Sequence, residues 1–210
     1  MNIDIKQIND LREAISDKMS GFRLAHTLGV EKMAVRLGEI YCPEKIDHLR
    51  AAALLHDVTK ELSVEAHTEI YNRFGLTPSA EYLSSPAILH SVTASLMIPE
   101  KYPMFADDEI ISSVRYHTTG RVGMSICEKI IYLADYIEEN RKYEDCIALR
   151  EEFFLAEPEK MSESEKITHL NRVILHSFDL TIADLEAKGK TVISDTRAAR
   201  EAIIAELENK

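Results

Sequence analysis

Residues 46–57 read IDHLRAAALLHD. Ile46, Leu49, Ala52, Ala53 and His56 fall three or four apart, the spacing of one helical face. Ala51–Leu55 is apolar on every side of such a helix, and a helix without a polar face belongs in an interior. His56 and Asp57 close this segment, the most hydrophobic in the chain. Upstream, Phe22, Ala25, Val30, Met33, Ala34 and Leu37 repeat the helical pattern, with Ser20 as N-cap and Gly38 as a weak point near the end. Downstream, Thr77-Pro78 and Ser85-Pro86 read as helix starts, because Pro is favoured in a first turn. Pro99 and Pro103 mark a connection. Asp107 caps a helix through Ile110, Ile111 and Val114, Thr118-Thr119-Gly120 forms a turn, and Ser125 starts a helix with Ile126, Ile130, Leu133, Ala134 and Ile137 inward. Glu151–Glu165, acidic and holding Pro158, reads as a loop. Glu163–Lys188 is a long amphipathic helix followed by Gly189, and Ser194 or Asp195 caps a last helix to about Glu208. No strand alternation and no repeat interrupts this. The expected fold is all-α, a compact multi-helix bundle, with residues 1–210 as one domain and a C-terminal helical extension.

The 210 residues carry 25 Lys and Arg against 36 Asp and Glu, a formal charge of −11. That balance argues against a general basic surface for nucleic acid, but not against a local pocket for a small anion. Cys42, Cys127 and Cys146 form no CxxC pair, so neither a zinc ribbon nor a disulfide framework is expected, and a reducing cytoplasm fits best. No signal-peptide pattern opens the chain and no apolar run approaches the ~18 residues of a membrane span.

The chemistry concentrates where polar residues interrupt apolar segments. His26 lies on the apolar face of the first strong helix. His90 ends the run Ala87-Ile88-Leu89, His117 follows Val114 by three residues, and Asp135 sits between Ala134 and Tyr136. A buried ionised aspartate costs several kcal/mol unless it is paired or bound to a cation. Asp57 and Asp135 beside neutral imidazoles are a donor set for a divalent metal. The adjacent pair His56-Asp57 can serve one ion if the helix ends or bends there. Each residue alone has a plainer reading: a lone histidine is usually a satisfied core residue, and Asp135 could pair with Arg141 or Lys129. Lys60 and Arg141, in its charged run, could be ordinary solvated charges. His48, His67, His169 and His176 are given no role. Four histidines and two aspartates together are harder to explain that way.

The order His26 … His56-Asp57 … Asp135 resembles the HD-domain superfamily of metal-dependent phosphohydrolases. Three blocks resemble its bacterial YqeK-like branch of symmetrical diadenosine tetraphosphate hydrolases: Arg23-Leu24-Ala25-His26, AAALLHDVTKEL at 51–62, and YHTTGRVGMSICEKIIYLADYIEENRKYE at 116–144. They place an HD core at about 20–145. The resemblance implies iron held by His26, His56, Asp57 and Asp135, with Mn or Co as substitutes, and a second metal or a phosphate at His90 and His117. It implies nucleotide phosphates on Arg23, Lys60 and Arg141, a contact from Thr118, and a segment of about Ile193–Arg200 closing over the nucleotide through Thr196 and Arg200. Arg121 is a further candidate, or else serves the turn. Ser91 and Glu201 replace the Gly and Asn usual at those places in the family. Asp57, with His90 and His117, is assigned to the catalytic step, in which a metal-activated water cuts the tetraphosphate at its centre to give two ADP.

The partner implied is a small dinucleoside polyphosphate, with no nucleic acid, no membrane, and a homodimer left open. Two readings compete: an HD phosphohydrolase of a nucleoside di- or triphosphate or cyclic nucleotide, and a nucleotide-sensing module without activity. A third, a purely structural bundle, predicts no effect of metal removal.

Overall fold

A computed structural model describes residues 3–209. The described residues form helices joined by turns and short 3-10 segments, with no strand among them. In chain order the helices are α1 Ile5–Ser16, α2 Gly21–Tyr41, α3 Ile46–Leu55, α4 Val64–Arg73, α5 Ala80–Ser84, α6 Leu89–Lys101, α7 Asp108–Tyr116, α8 Ile126–Ile137, α9 Glu144–Leu155, α10 Glu163–Ala187 and α11 Ser194–Glu208. As its composition dictates, α3 is central: Ala51 to Leu55 are all buried, and α3 packs against α1, α2, α7 and α8. One hydrophobic cluster runs from Ile3 to Ile203 and includes Leu37, Leu55, Ile130, Phe153 and Phe178.

The caps follow the sequence at several starts. Ser20 accepts from the Arg23 N–H, Ser125 and Glu128 form a capping box, and Asp107 accepts from the Glu109 N–H. Such caps satisfy N–H groups that the first helical turn leaves without partners. Elsewhere the structure departs from the sequence reading. Pro99 lies inside α6, near its end, where the buried Ile98 holds the last turn. Gly38 lies near the end of α2, as read, but for packing: a Cβ there would meet the Leu49 and Ile46 side chains, and the helix runs on to Tyr41. The acidic stretch expected as a loop begins inside α9, which continues to Leu155 because Cys146, Leu149 and Phe153 are buried on one face. Helix α5 starts after Ser79, not at Thr77-Pro78. The last helix has Ile193 at its N-cap, and neither Ser194 nor Asp195 caps it. Glu81 accepts from the Ser194 N–H and hydroxyl instead, and Tyr82 donates to Asp195.

Gly120 fixes how the C-terminal helices meet the rest. Its φ is +64°, and a Cβ there would lie 2.6 Å from Phe178 Cζ and 2.9 Å from Ala199 Cβ. The turn after α7 therefore presses directly on α10 and α11.

Candidate metal centre

The six singled-out residues come together, most of them from helix ends. Helix α3 stops at Leu55, and the chain tightens through Val58 N–H to Leu55 O and Lys60 N–H to Asp57 O. This break lets the neighbouring side chains of His56 and Asp57 reach one centre. Ser20 donates to Glu61, which ties the start of α2 to the same turn and sets Arg23 and His26 beside Asp57. His90 is the second residue of α6, His117 follows α7, and Asp135 lies in the last turn of α8.

Three of the imidazoles are oriented alike. Nδ1 of His56, His90 and His117 lies 2.6, 2.7 and 2.7 Å from the carbonyl of Ala53, Ala87 and Val114, three residues back. A carbonyl only accepts, so each proton sits on Nδ1 and each Nε2 keeps its lone pair. His26 turns the same way, with Nδ1 3.2 Å from Glu138 Oε1. All four Nε2 atoms then face the two carboxylates. His26 Nε2 lies 2.9 Å from Asp135 Oδ1 and 3.7 Å from Asp57 Oδ2, and His56 Nε2 lies 3.4 and 3.9 Å from Asp57 Oδ2 and Asp135 Oδ1. The other Asp57 oxygen faces elsewhere: Oδ1 is 3.2 Å from His90 Nε2 and 3.9 Å from His117 Nε2, and these two nitrogens are 2.9 Å apart.

Lone pairs facing lone pairs at these distances repel unless positive charge stands between them. His56 Nε2 and Asp57 Oδ1 are buried without hydrogen-bond partners. Orphaned imidazole and carboxylate atoms are what a divalent cation would satisfy, so this donor set fits a metal. Two triads lie within mutual ligating range, His26–His56–Asp135 and His56–Asp57–His117.

The charge state suits this use. Burial alone would raise the Asp57 pKa, but His56 and His90 hold it well below the carboxylate range. For Asp135, burial is likewise overcome by Arg141 and His26. Burial pushes the His90 and His117 pKa values down, keeping both rings neutral. At His26 burial opposes the charge, yet Asp135 and Glu138 prevail and raise the pKa to about 9. A cation entering the site would displace that proton.

The expected phosphate arms surround this centre. Arg23 Nη1 donates to Asp57 Oδ2, and Arg141 Nη2 donates to Asp135 Oδ1 at 2.7 Å. Lys60 Nζ lies 3.3 Å from His90 Nε2, and Thr118 Oγ1 lies 3.3 Å from the same nitrogen. Thr118 and Thr196 line one cavity of about 320 Å³ with Ile88, Leu185 and Ile193. Arg200 does not line it; it pairs with Asp179 and Glu201. Arg121 pairs with the buried Glu128 and stays with the turn. A larger cavity of about 640 Å³ is lined by Phe22, Arg23, His26, Arg141 and Tyr143 among others, and shares no lining residue with the first.

Two supporting parts escaped the sequence reading. Glu138, only 1 % exposed, lies in a charged run that looks like surface, yet it holds His26. Its position three residues after Asp135, on the same helical face, is the signal that could have revealed it. His67, given no role, lies behind His90: its Nδ1 is 2.8 Å from Thr93 Oγ1, which meets Thr59 Oγ1, and Thr59 donates to the His90 carbonyl. His48, His169 and His176 contact Asp107, Phe153 O and Glu152, away from the cluster.

The chain is similar to several known proteins. The family model described as HD domain matches residues 23–140. The chain is 29 % identical over 182 residues to a Bacillus subtilis protein named symmetrical bis(5'-nucleosyl)-tetraphosphatase, covering 87 % of this chain and 89 % of that one. A Staphylococcus aureus protein of the same name is 31 % identical over 134 residues, 64 % of this chain and 68 % of its own. A crystal structure from Clostridium acetobutylicum, described as a predicted HD superfamily hydrolase involved in NAD metabolism, superposes with a TM-score of 0.80 at 31 % identity. That match covers 94 % of this chain and 97 % of the other.

Proposed function

The chain belongs to the HD-domain family, and from that footing we propose that it hydrolyses diadenosine tetraphosphate symmetrically to two ADP. The observation that carries the reading is the convergence of four imidazole Nε2 atoms on two carboxylates, the buried Asp57 and the partly buried Asp135. His26, His56, Asp57 and Asp135 would hold the metal, iron in our reading, with Mn or Co able to replace it. Asp57 would turn its second oxygen toward a second cation or a phosphate at His90 and His117. A bound divalent cation supplies Lewis-acid charge to the phosphates and acidifies the attacking water. Arg23 and Arg141, each already on a carboxylate of the centre, are set to receive phosphate oxygens, and arginine suits them through paired N–H groups. Lys60 adds a point charge on the His90 side. Thr118 and Thr196 line a cavity apolar enough for one adenosine; Arg200 would have to leave Asp179 to join them. Water attacks one of the two central phosphorus atoms, and the bond from that phosphorus to the bridging oxygen breaks. One ADP leaves with the bridging oxygen as an anion of low basicity, and the other keeps the water's oxygen while the proton passes to solvent; no covalent intermediate on the protein is required.

We read residues 1–210 as one domain, because one apolar cluster joins residues from Ile3 to Ile203. The three cysteines are unpaired and buried, in keeping with a cytoplasmic setting, and among the described residues no helix is long and apolar enough to cross a membrane.

Product analysis tests the reading. With Fe²⁺, or Mn²⁺ or Co²⁺ in its place, the tetraphosphate should yield ADP alone, and Asp57→Asn should lose at least about a hundredfold in kcat/KM with its helical circular dichroism intact. Formation of ATP plus AMP would contradict it. So would preferential release of phosphate or a mononucleotide from other nucleotides, the outcome expected of the competing phosphohydrolase reading.

A further inference from the structure

We propose that the cavity between Phe22 and Tyr143 is a second nucleoside subsite, whose two aromatic rings stack the far base of a dinucleotide and so select it over a mononucleotide. The inference rests on the hydrolase reading above.

Phe22 is 80 % exposed and Tyr143 is 69 % exposed, although the molecule buries most of its large apolar side chains. A single exposed aromatic needs no explanation. These two line the same cavity, and that cavity also holds Arg23, His26 and Arg141. It therefore runs from solvent-facing rings to the metal centre by way of the two guanidiniums that neutralise Asp57 and Asp135. At about 640 Å³ it falls within the range of small-molecule sites. Three cations, Arg23, Arg141 and Lys142, line it against one carboxylate, Glu138, which is held by His26, and the aromatic rings are its exposed members. Phe22 stands one residue before Arg23, and Tyr143 two residues after Arg141, so each ring accompanies a phosphate arm. Aromatic faces hold bases by stacking without demanding a particular base. The other cavity, lined by Thr118 and Thr196, lies on the His90 and His117 side. A substrate cut at its middle presents a nucleoside diphosphate to each side of the centre, and the two cavities supply a place for both halves.

Two measurements on the metal-loaded, full-length chain test this. The first is the number of ADP molecules bound per chain by titration calorimetry. The second is the ratio of kcat/KM for diadenosine tetraphosphate to that for adenosine 5'-tetraphosphate, which lacks the second nucleoside. The unaltered chain should bind two ADP and favour the dinucleotide. The variant Phe22→Ala/Tyr143→Ala should bind one ADP, and its ratio should fall ten- to a hundredfold, the range for losing a stacked base. Both changes lie on exposed side chains, so folding is not at stake. One ADP per unaltered chain, or two in the variant with an undiminished ratio, would overturn the proposal while leaving symmetrical cleavage intact. If the unaltered chain makes no ADP from the dinucleotide, the hydrolase reading falls, and the ADP count alone decides the cavity.

Discussion

Asp57 presents each oxygen to a different pair of imidazoles, and backbone carbonyls fix the protons of three of those four rings on the outward nitrogen. Pre-set tautomers matter because a ring free to turn would lose its aim at the centre. Behind His90, the buried His67 contributes a measurable pH effect. Burial above all, with His90 and the Lys60 charge close by, lowers its pKa from 6.5 to about 4. Between those values the unfolded chain binds a proton that the folded chain refuses. Folding stability should therefore fall as pH drops from 6.5 toward 4, with about 2–3 kcal/mol at stake from this group. Urea unfolding across that range should show a shallower loss for His67→Gln. An equal slope in both proteins would remove His67 from the account.

Two helices must approach closely for the centre to form. A Cβ on Gly29 of α2 would lie 2.1 Å from Glu138 Oε2 and 2.8 Å from Asn140 Nδ2, just after α8. The missing side chain is what lets Glu138 reach His26. Gly29→Ala should push Glu138 off that ring and destabilise the fold by about 1–3 kcal/mol, as overpacking does. Glu138→Gln removes the charge without the clash. Both should weaken metal affinity about 10- to 100-fold, the usual cost of losing a carboxylate behind a ligating histidine. Metal titration checks this, and unchanged affinity in Glu138→Gln would assign the residue to packing alone. At this scale the sequence was readable where signals were local. Ser20, Asp107 and Ser125 mark their helix starts, and Ala51–Leu55 marks the buried helix. The start of α11 was not readable, because Glu81, more than a hundred residues earlier, does the work of a cap. Nor was the length of α9, where tertiary burial of Phe153 outweighs an acidic sequence.

Taken whole, the molecule assembles its centre from α2, α3, α6, α7 and α8, so contacts at the site staple the bundle together. A ligand that binds only the folded chain stabilises it, by about 2.7 kcal/mol at a hundred times its dissociation constant. For a chain of this size each kcal/mol shifts Tm by about 2–4 °C. Chelator should thus lower Tm by several degrees and Mn²⁺ should restore it; a Tm indifferent to both would speak for the purely structural bundle. The candidate ligands were legible because buried charge is costly and conspicuous in apolar surroundings. Their mutual distances, the Glu138 support and the two cavities were not, since they depend on how distant helices pack. The most direct test of the account is a metal-edge anomalous difference map of crystals grown with Mn²⁺ or Fe²⁺. The account predicts a peak enclosed by His26 Nε2, His56 Nε2, Asp57 and Asp135, at about 2.0–2.3 Å from each, the range for nitrogen and oxygen ligands. A map with no peak there, in crystals of protein that hydrolyses its substrate, would contradict it.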